Sequence, residues 1–166
     1  VNIDRGDELG VLATSFNTMA GALDKKTKEI EESEESYRSL FNALQAGIYQ
    51  CEPGVDGKFT WVNQSCAEMF GFESPEEMEG SKVKDIYVDQ VDRKKLVDKL
   101  EKDGVWKDFT SYCVSKKGGK FYTERTSNMV KDHKGKPVRI EGVIRDISDR
   151  KKKEDDLQKK VRKKSD

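Results

Sequence analysis

Acid–base, nucleophilic and metal chemistry need histidine, cysteine or carboxylate groups in defined spacings, and this chain supplies few such arrangements. His133 is its single histidine. It sits in Asp132-His133-Lys134-Gly135-Lys136-Pro137, a turn between two strand-like runs, where no nucleophile–base pairing is evident. Cys51, Cys66 and Cys113 are odd in number, widely spaced and free of any CxxC pair. That pattern supports neither a disulfide framework nor a zinc site and predicts buried or half-buried thiols in a reducing compartment. Gly118-Gly119 lacks the spacing of a phosphate-cradling loop. Carboxylates are abundant, but with 39% of residues charged chance pairs are expected and mark no acid–base site. The chain therefore reads as no enzyme, with no catalytic residue, no metal ligand and no expected cofactor.

The pattern that does carry information is Gly142 to Arg150, GVIRDISDR. Val138, Ile140, Gly142 and Ile144 alternate with Arg139, Glu141, Val143 and Arg145, the period of a half-buried strand. After Ile147 a charged helical run begins with no Pro or Gly between, and Ser148 or Asp149 is the expected N-cap. A last strand joined so tightly to an exit helix can hand core rearrangements to whatever follows, which points to a sensor or relay.

Three zones position these residues. From about Asp4 to Leu44 a helix is predicted, with Leu9, Leu12, Phe16, Met19, Leu23, Ile30, Tyr37, Leu40 and Leu44 in three- and four-residue steps. Lys26 and Ser33 fill two places in the series. The average step of about 3.5 residues is a coiled-coil seam, against the alternative of one amphipathic helix lying on its own domain. The middle zone, about Tyr37 to Ser148, alternates turns and short elements. Strands are predicted at Gly47–Glu52, Phe59–Val62, Trp106–Ser115, Phe121–Val130 and Val138–Ile147. Between the second and third lie a short helix capped by Asn63, another started by Ser74-Pro75-Glu76-Glu77, and a longer one from Asp92 to Asp103 stopped by Gly104. Strands broken by a helical block give an α+β fold with an antiparallel sheet covered on one face. The last zone, Asp149 to Asp166, is a charged helix or tail in which Leu157 and Val161 alone offer anchorage.

Length and charge narrow the function. The 166 residues suffice for one domain with extended helices. Net charge is zero, which argues against a dedicated nucleic-acid binder. No apolar run approaches the ~18 residues of a membrane span, and no signal peptide is visible. The chain begins at Val1, as an excised piece of something longer would.

The middle zone resembles a PAS domain. The resemblance rests on NQSCAEMFGF (Asn63 to Phe72), Asp92-Arg93, the Gly118-Gly119 hairpin, the DHKGKP turn and the closing GVIRDIS, where Ser148 stands in for the family's terminal Thr. It implies a five-stranded antiparallel sheet with short helices over one face and a small cavity, used for sensing and dimerisation. Residues Asp4 to Met19, DRGDELGVLATSFNTM, are similar to the second half of a HAMP linker, through Asp7, Glu8, Leu9, Gly10, Leu12, Phe16, Asn17 and Met19. HAMP linkers couple a membrane span to output domains, so this likeness implies a membrane-anchored parent lacking its front end here. The implied division is 1–36 for the HAMP second helix and linker, 37–148 for the PAS domain and 149–166 for a signalling helix or tail. Family haem ligands come from the region of the long helix, which holds no His, and the family's flavin-adduct motif is not matched around Cys66.

The reading that follows is a sensory, signal-relay and dimerisation module. Its parent is a membrane-anchored signalling protein, foremost a two-component sensor histidine kinase, with a cyclic-dinucleotide enzyme or chemoreceptor as alternatives. A purely structural interaction module and a small enzyme with an unrecognised site are the competing classes. Arg145, Asp146, Ile147 and Ser148 are the expected relay, and Glu8, Leu9, Leu12, Phe16, Met19 and Leu23 the HAMP packing stripe. Ile48, Cys66, Met69, Phe70, Met78, Ile86, Leu96, Tyr112 and Met129 are the expected cavity lining, for a small molecule of unnamed identity if one binds. The expected partners are a second copy, through the N-terminal helix and the PAS flanks, and an absent output domain. No nucleic acid is expected, and membrane contact runs only through the missing upstream segment. The expected location is the cytoplasmic side of a bacterial or archaeal inner membrane.

Overall fold

A computed structural model describes residues 8–43 and 45–162. The chain divides into two compact units, Val1–Leu40 and Phe41–Asp166.

The described part of the first unit is one helix. It belongs to α1 (Glu8–Ala43), whose last turn falls in the second unit. Leu12, Phe16, Met19, Leu23, Ile30, Tyr37 and Leu40 are all exposed, each by more than half of its surface. The seven fall along one stripe at heptad spacing and are bare in the single chain. The side chains of Glu8 and Leu9, like Asp4, Asp7 and Leu44, lie outside the described residues.

The second unit is a five-stranded antiparallel sheet in the order β2-β1-β5-β4-β3, with short helices between β2 and β3. Its strands are β1 (Gly47–Cys51), β2 (Phe59–Val62), β3 (Val105–Val114), β4 (Lys120–Lys131) and β5 (Pro137–Asp146). The helical block is α2 (Gln64–Met69), α3 (Pro75–Met78), a 3-10 turn at Val83–Ile86 and α4 (Gln90–Asp103). The exit helix α5 (Ser148–Arg162) follows β5 after one residue, Ile147.

Local chemistry explains most of these boundaries. The Asn63 carboxamide accepts from Cys66 N at 2.9 Å, capping α2. It also accepts from Ile48 N and donates to Ala46 O, so one side chain fixes both the helix start and the start of β1. The long helix starts two residues before the predicted Asp92, because the Asp89 carboxylate caps it by accepting from Val91 N at 2.9 Å. Gly104 closes it at φ 79°. The β4–β5 turn is held by the Asp132 carboxylate, which accepts from Lys134 N and Lys136 N.

The core lies between the sheet and the helical block. Tyr49, Phe70, Met78, Val83, Leu96, Leu100, Ile140 and Ile144 are essentially without exposed surface. Burying each such side chain contributes about 1.5–3 kcal/mol. Glycine at two sheet positions allows the close approach. A Cβ on Gly47 would meet Ile144 Cγ2 at 2.7 Å and the α2 backbone at Cys66 at 3.1 Å. On Gly142 it would meet Thr126 O at 2.5 Å and the Tyr49 hydroxyl at 3.0 Å. Val138, placed on the inward face by the alternation, is half exposed, because it stands at the outer end of β5, beyond the covering helices.

Candidate functional site

Strand alternation puts Thr123, Arg125, Ser127 and Met129 of β4 on the inner face, all buried. Three of the four are polar, and neighbouring strands continue the pattern. The Tyr49 hydroxyl of β1 meets Ser127 Oγ at 2.6 Å, passing over Gly142 of the intervening β5. On β3, Ser111 and Cys113 are buried beside Thr123. A polar seam thus crosses the middle of the core.

Arg125 is its hub. One guanidinium nitrogen, Nη1, donates to the Tyr87 hydroxyl at 2.7 Å. Nη2 donates to Ser111 Oγ, Cys113 Sγ and Thr123 Oγ1, each at 3.2 Å. The cation also lies over the Tyr87 ring, 4.7 Å from its centre. Its Nε has no acceptor among the described residues. Arg93, fully buried on the first turn of α4, donates from Nη2 to Gly54 O at 2.7 Å and weakly to Cys51 Sγ at 3.8 Å. Its Nε and Nη1 have no acceptor among the described residues.

No carboxylate pairs with either guanidinium among the described residues; every ion pair there lies elsewhere. Burial pulls the Arg125 pKa down, while the ionised forms of Tyr87 and nearby thiols pull it up, and the net direction is upward. Burial pushes Tyr87 and Tyr49 above the ordinary phenol value, Cys51 above the ordinary thiol value and Cys66 up to about 12. The charge of Arg125 therefore has no carboxylate beside it among the described residues. Taking such an ion from water costs on the order of several kcal/mol, a large fraction of the ~5–15 kcal/mol that holds a domain folded.

The second construction is the junction of β5 and α5. Ile147 N donates to Tyr122 O at 2.9 Å, and Tyr122 N donates to Ser148 Oγ at 3.1 Å. Asp146 Oδ1 accepts from Ser148 N at 2.9 Å. The serine hydroxyl thus serves the backbone of β4 and not the start of its own helix, which corrects its expected capping role; Asp146 takes that place. Glu124 of β4, only 11% exposed, accepts from Arg145 of β5 at 3.1 Å and from Arg150 of α5 at 2.7 Å. The Arg150 guanidinium hydrogen-bonded to it holds the Glu124 carboxyl below the usual glutamate range. Glu124 also helps line a cavity of about 200 Å³ with Phe41, Ala46, Arg125, Thr126, Val143 and Arg145.

Of the expected lining residues, Cys66, Phe70, Met78, Ile86, Leu96 and Met129 are buried in the core, and Met69 is half-buried against it. Two are misplaced. Tyr112 is 37% exposed and packs against Tyr122, 4.6 Å between ring centres, because Ser111 and Cys113 take the inward positions of β3. Ile48 is half-buried while its neighbours Gly47 and Tyr49 are buried, since Tyr49 holds the inward phase of β1. Arg93, Arg125 and Glu124 are absent from the expected site residues, although Asp92-Arg93 is one of the pairs that carry the family resemblance. The available signal was the run Thr123-Arg125-Ser127-Met129, whose period matches a buried face although its residue types do not. His133 is exposed in its turn. Among the described residues no group of three or more His, Cys, Asp or Glu could hold a metal ion, and no helix is long and apolar enough to cross a membrane.

A family model described as "PAS domain" matches residues 52–149. Many solved structures share the fold, among them the following three. The PAS domain of a Colwellia psychrerythraea protein is 18% identical with a TM-score of 0.57, over 69% of this chain and 97% of its own. A sensory box histidine kinase/response regulator from Burkholderia thailandensis is 17% identical with a TM-score of 0.60, over 76% and 95%. A light-oxygen-voltage domain solved with a flavin analogue is 16% identical with a TM-score of 0.57, over 75% and 93%. No curated protein sequence matches the chain.

Proposed function

This chain belongs to the PAS domain family, and from that premise we propose that it is the sensing and relay module of a membrane-anchored signalling protein, a sensor histidine kinase before other parents. The observation that carries the relay is the stitching of α5 to β4. Two hydrogen bonds to Tyr122 and the Glu124–Arg150 pair tie the first turn of the exit helix to a central strand. A change of twist in β4 then reaches α5 without crossing a flexible linker. Arg145, Asp146, Ile147 and Ser148 act at this joint. The stretch from Asp4 to Met19 corresponds to the second half of a HAMP linker, and Leu12, Phe16, Met19 and Leu23 pack on a second copy of the chain. The parent's membrane span lies upstream, and the module works on the cytoplasmic side of the membrane. The heptad spacing of exposed apolar residues supports the pairing, since a helix with such a bare stripe gains most of its stability from packing.

The test joins the chain in frame, through α5, to the dimerisation and ATP-binding domains of a reporter histidine kinase. Autophosphorylation is then measured while residues are added one at a time at the joint. Output that rises and falls with a period of about seven residues, and flattens in Asp146→Ala, supports the relay. Output indifferent to both the insertions and the substitution removes it.

A further inference from the structure

The apolar seam of α1 is not uniform. In its heptad phase Leu12, Phe16, Met19 and Leu23 fill successive seam positions, but the next four are Lys26, Ile30, Ser33 and Tyr37. The positions that flank the seam in this second half are Glu29 and Glu34. In a parallel, in-register pair of identical helices, Glu29 of one chain would face the partner's Glu34, and the same clash would recur on the other side of the seam. Like charges at these flanking positions oppose pairing. The segment from Lys26 to Tyr37 is therefore unsuited to pair with its own kind, while Ile30 and Tyr37 are each more than half exposed.

The helix α5 has the complementary character. Leu157 is 63% exposed, and with it in the seam the flanking positions are Lys151, Lys153 and Lys160. Among the described residues neither Glu29 nor Glu34 nor Lys160 belongs to an ion pair, and Lys151 has only a long one to Glu154 at 3.6 Å. Gly47 lies opposite Ile144 in the antiparallel pair of β1 and β5, so the chain enters β1 and leaves β5 at the same end of the sheet. Two copies that share this end bring an exit helix against an entry helix in opposite directions. With Ile30 set opposite Leu157 in such a pair, Glu29 falls opposite Lys160 and Glu34 opposite Lys151. No like charges then meet across the seam.

We propose that α5 of one copy packs antiparallel on the Lys26–Tyr37 segment of a second copy's α1, with Ile30 against Leu157 and the Glu29–Lys160 and Glu34–Lys151 pairs on either side. The proposal rests on the self-association read above from the upstream stripe and names a second contact within the same dimer. One apolar pair supplies little area, so the flanking charges choose the partner, and the contact is weak and sensitive to salt. The same register sets Tyr37 opposite Arg150, the residue that Glu124 grips. An aromatic face attracts a guanidinium, so the contact competes with Glu124 for the first turn of the outlet. An α5 held in this way is also withdrawn from any coiled coil with its own counterpart, which gives the outlet two alternative partners.

The experiment is sedimentation equilibrium of the full chain and of two charge-reversed forms, Glu29→Lys with Glu34→Lys, and Lys151→Glu with Lys160→Glu. All four positions lie on the surface of their helices, and far-UV circular dichroism checks that each form folds. At about 0.05 M salt each form alone should self-associate about 10-fold more weakly than the wild type. Mixed in equal amounts, the two forms should recover most of the lost affinity, because every α5 then finds a complementary α1 only on the other chain. At about 0.5 M salt the differences should largely vanish. The proposal is overturned if neither reversal weakens association, or if the mixture associates no better than the separate forms. It also falls if Glu29→Lys alone strengthens association, since that is the signature of α1 pairing with its own kind there. Indifference to the reversals with loss of association in Phe16→Glu, Leu23→Glu removes this contact and keeps the stripe. Association that survives that double change but obeys the reversals does the opposite, and a wild type that stays monomeric removes both.

Discussion

Along α1, side chains that water rejects stand in water, whereas inside the PAS core two guanidinium groups that water prefers are taken out of it. An isolated Leu on a surface is ordinary, but seven large apolar residues in heptad phase are not. A buried Arg with a carboxylate is ordinary too, but two without one are not. Both regions are under-satisfied within one chain, in opposite senses. The helix lacks an apolar surface to meet, and the core lacks an anion. The difference teaches that the two regions depart from the usual pairing of side chain and surroundings in opposite ways, apolar surface left bare in one and charge enclosed in the other.

Charging the stripe should have the largest effect. Phe16→Glu combined with Leu23→Glu is expected to weaken self-association about 1,000-fold, about 4 kcal/mol, by sedimentation equilibrium, with the unfolding of the PAS unit unchanged. Undiminished association would mean that the stripe is not the contact. Gly142→Ala comes next. Its methyl would press on Thr126 O and the Tyr49–Ser127 bond, lowering the unfolding free energy in urea by about 3 kcal/mol. A loss near zero would show that β5 has slack there and that the polar seam is loosely built.

Arg125→Met addresses the interior charge itself. Replacing an uncompensated buried cation by an apolar chain of similar length should leave stability unchanged or raise it by up to about 2 kcal/mol. A marked loss would show that Tyr87, Ser111 and Thr123 already satisfy the guanidinium, and the contrast with α1 would fall. The smallest effect belongs to Glu124→Gln, below about 1 kcal/mol at neutral pH because Arg145 and Arg150 are half exposed. The Glu124 carboxyl is held below its ordinary value of 4.5 in the folded state. Its contribution is therefore complete above that value and is lost as pH falls through the lower folded-state one. Urea titrations at neutral and acid pH should show the wild type and Glu124→Gln converging on acidification; a constant gap would remove the pair as a contributor.

The order and type of the elements were legible because turns and caps are local events. Asn63, the Ser74-Pro75 start, Gly104 and the Gly118-Gly119 turn act within a few residues. The stripe was legible for the same reason, since periodicity is a property of one helix. The polar seam was not. Arg125 reads as a solvent-facing residue because charge normally marks the outer face, and only the pairing of β4 with β3 and β5 turns it inward. Arg93 was hidden by its place one residue into a charged helical start, where exposure is the usual outcome. Ser148 was expected at the correct joint, but its hydroxyl reaches 26 positions back along the chain to Tyr122, a bond that no local rule can anticipate.

Tyr122 grips the residues on both sides of the strand-to-helix boundary, taking Ile147 by its carbonyl and Ser148 by its amide. The azimuth of α5 is thereby indexed to the hydrogen-bond ladder of β4. Since successive helix residues are turned by about 100°, a slip of one residue at this joint would swing every side chain of α5 by more than a quarter turn. The sheet thus sets the rotational position of its exit helix, and any segment continuous with α5 would inherit that angle.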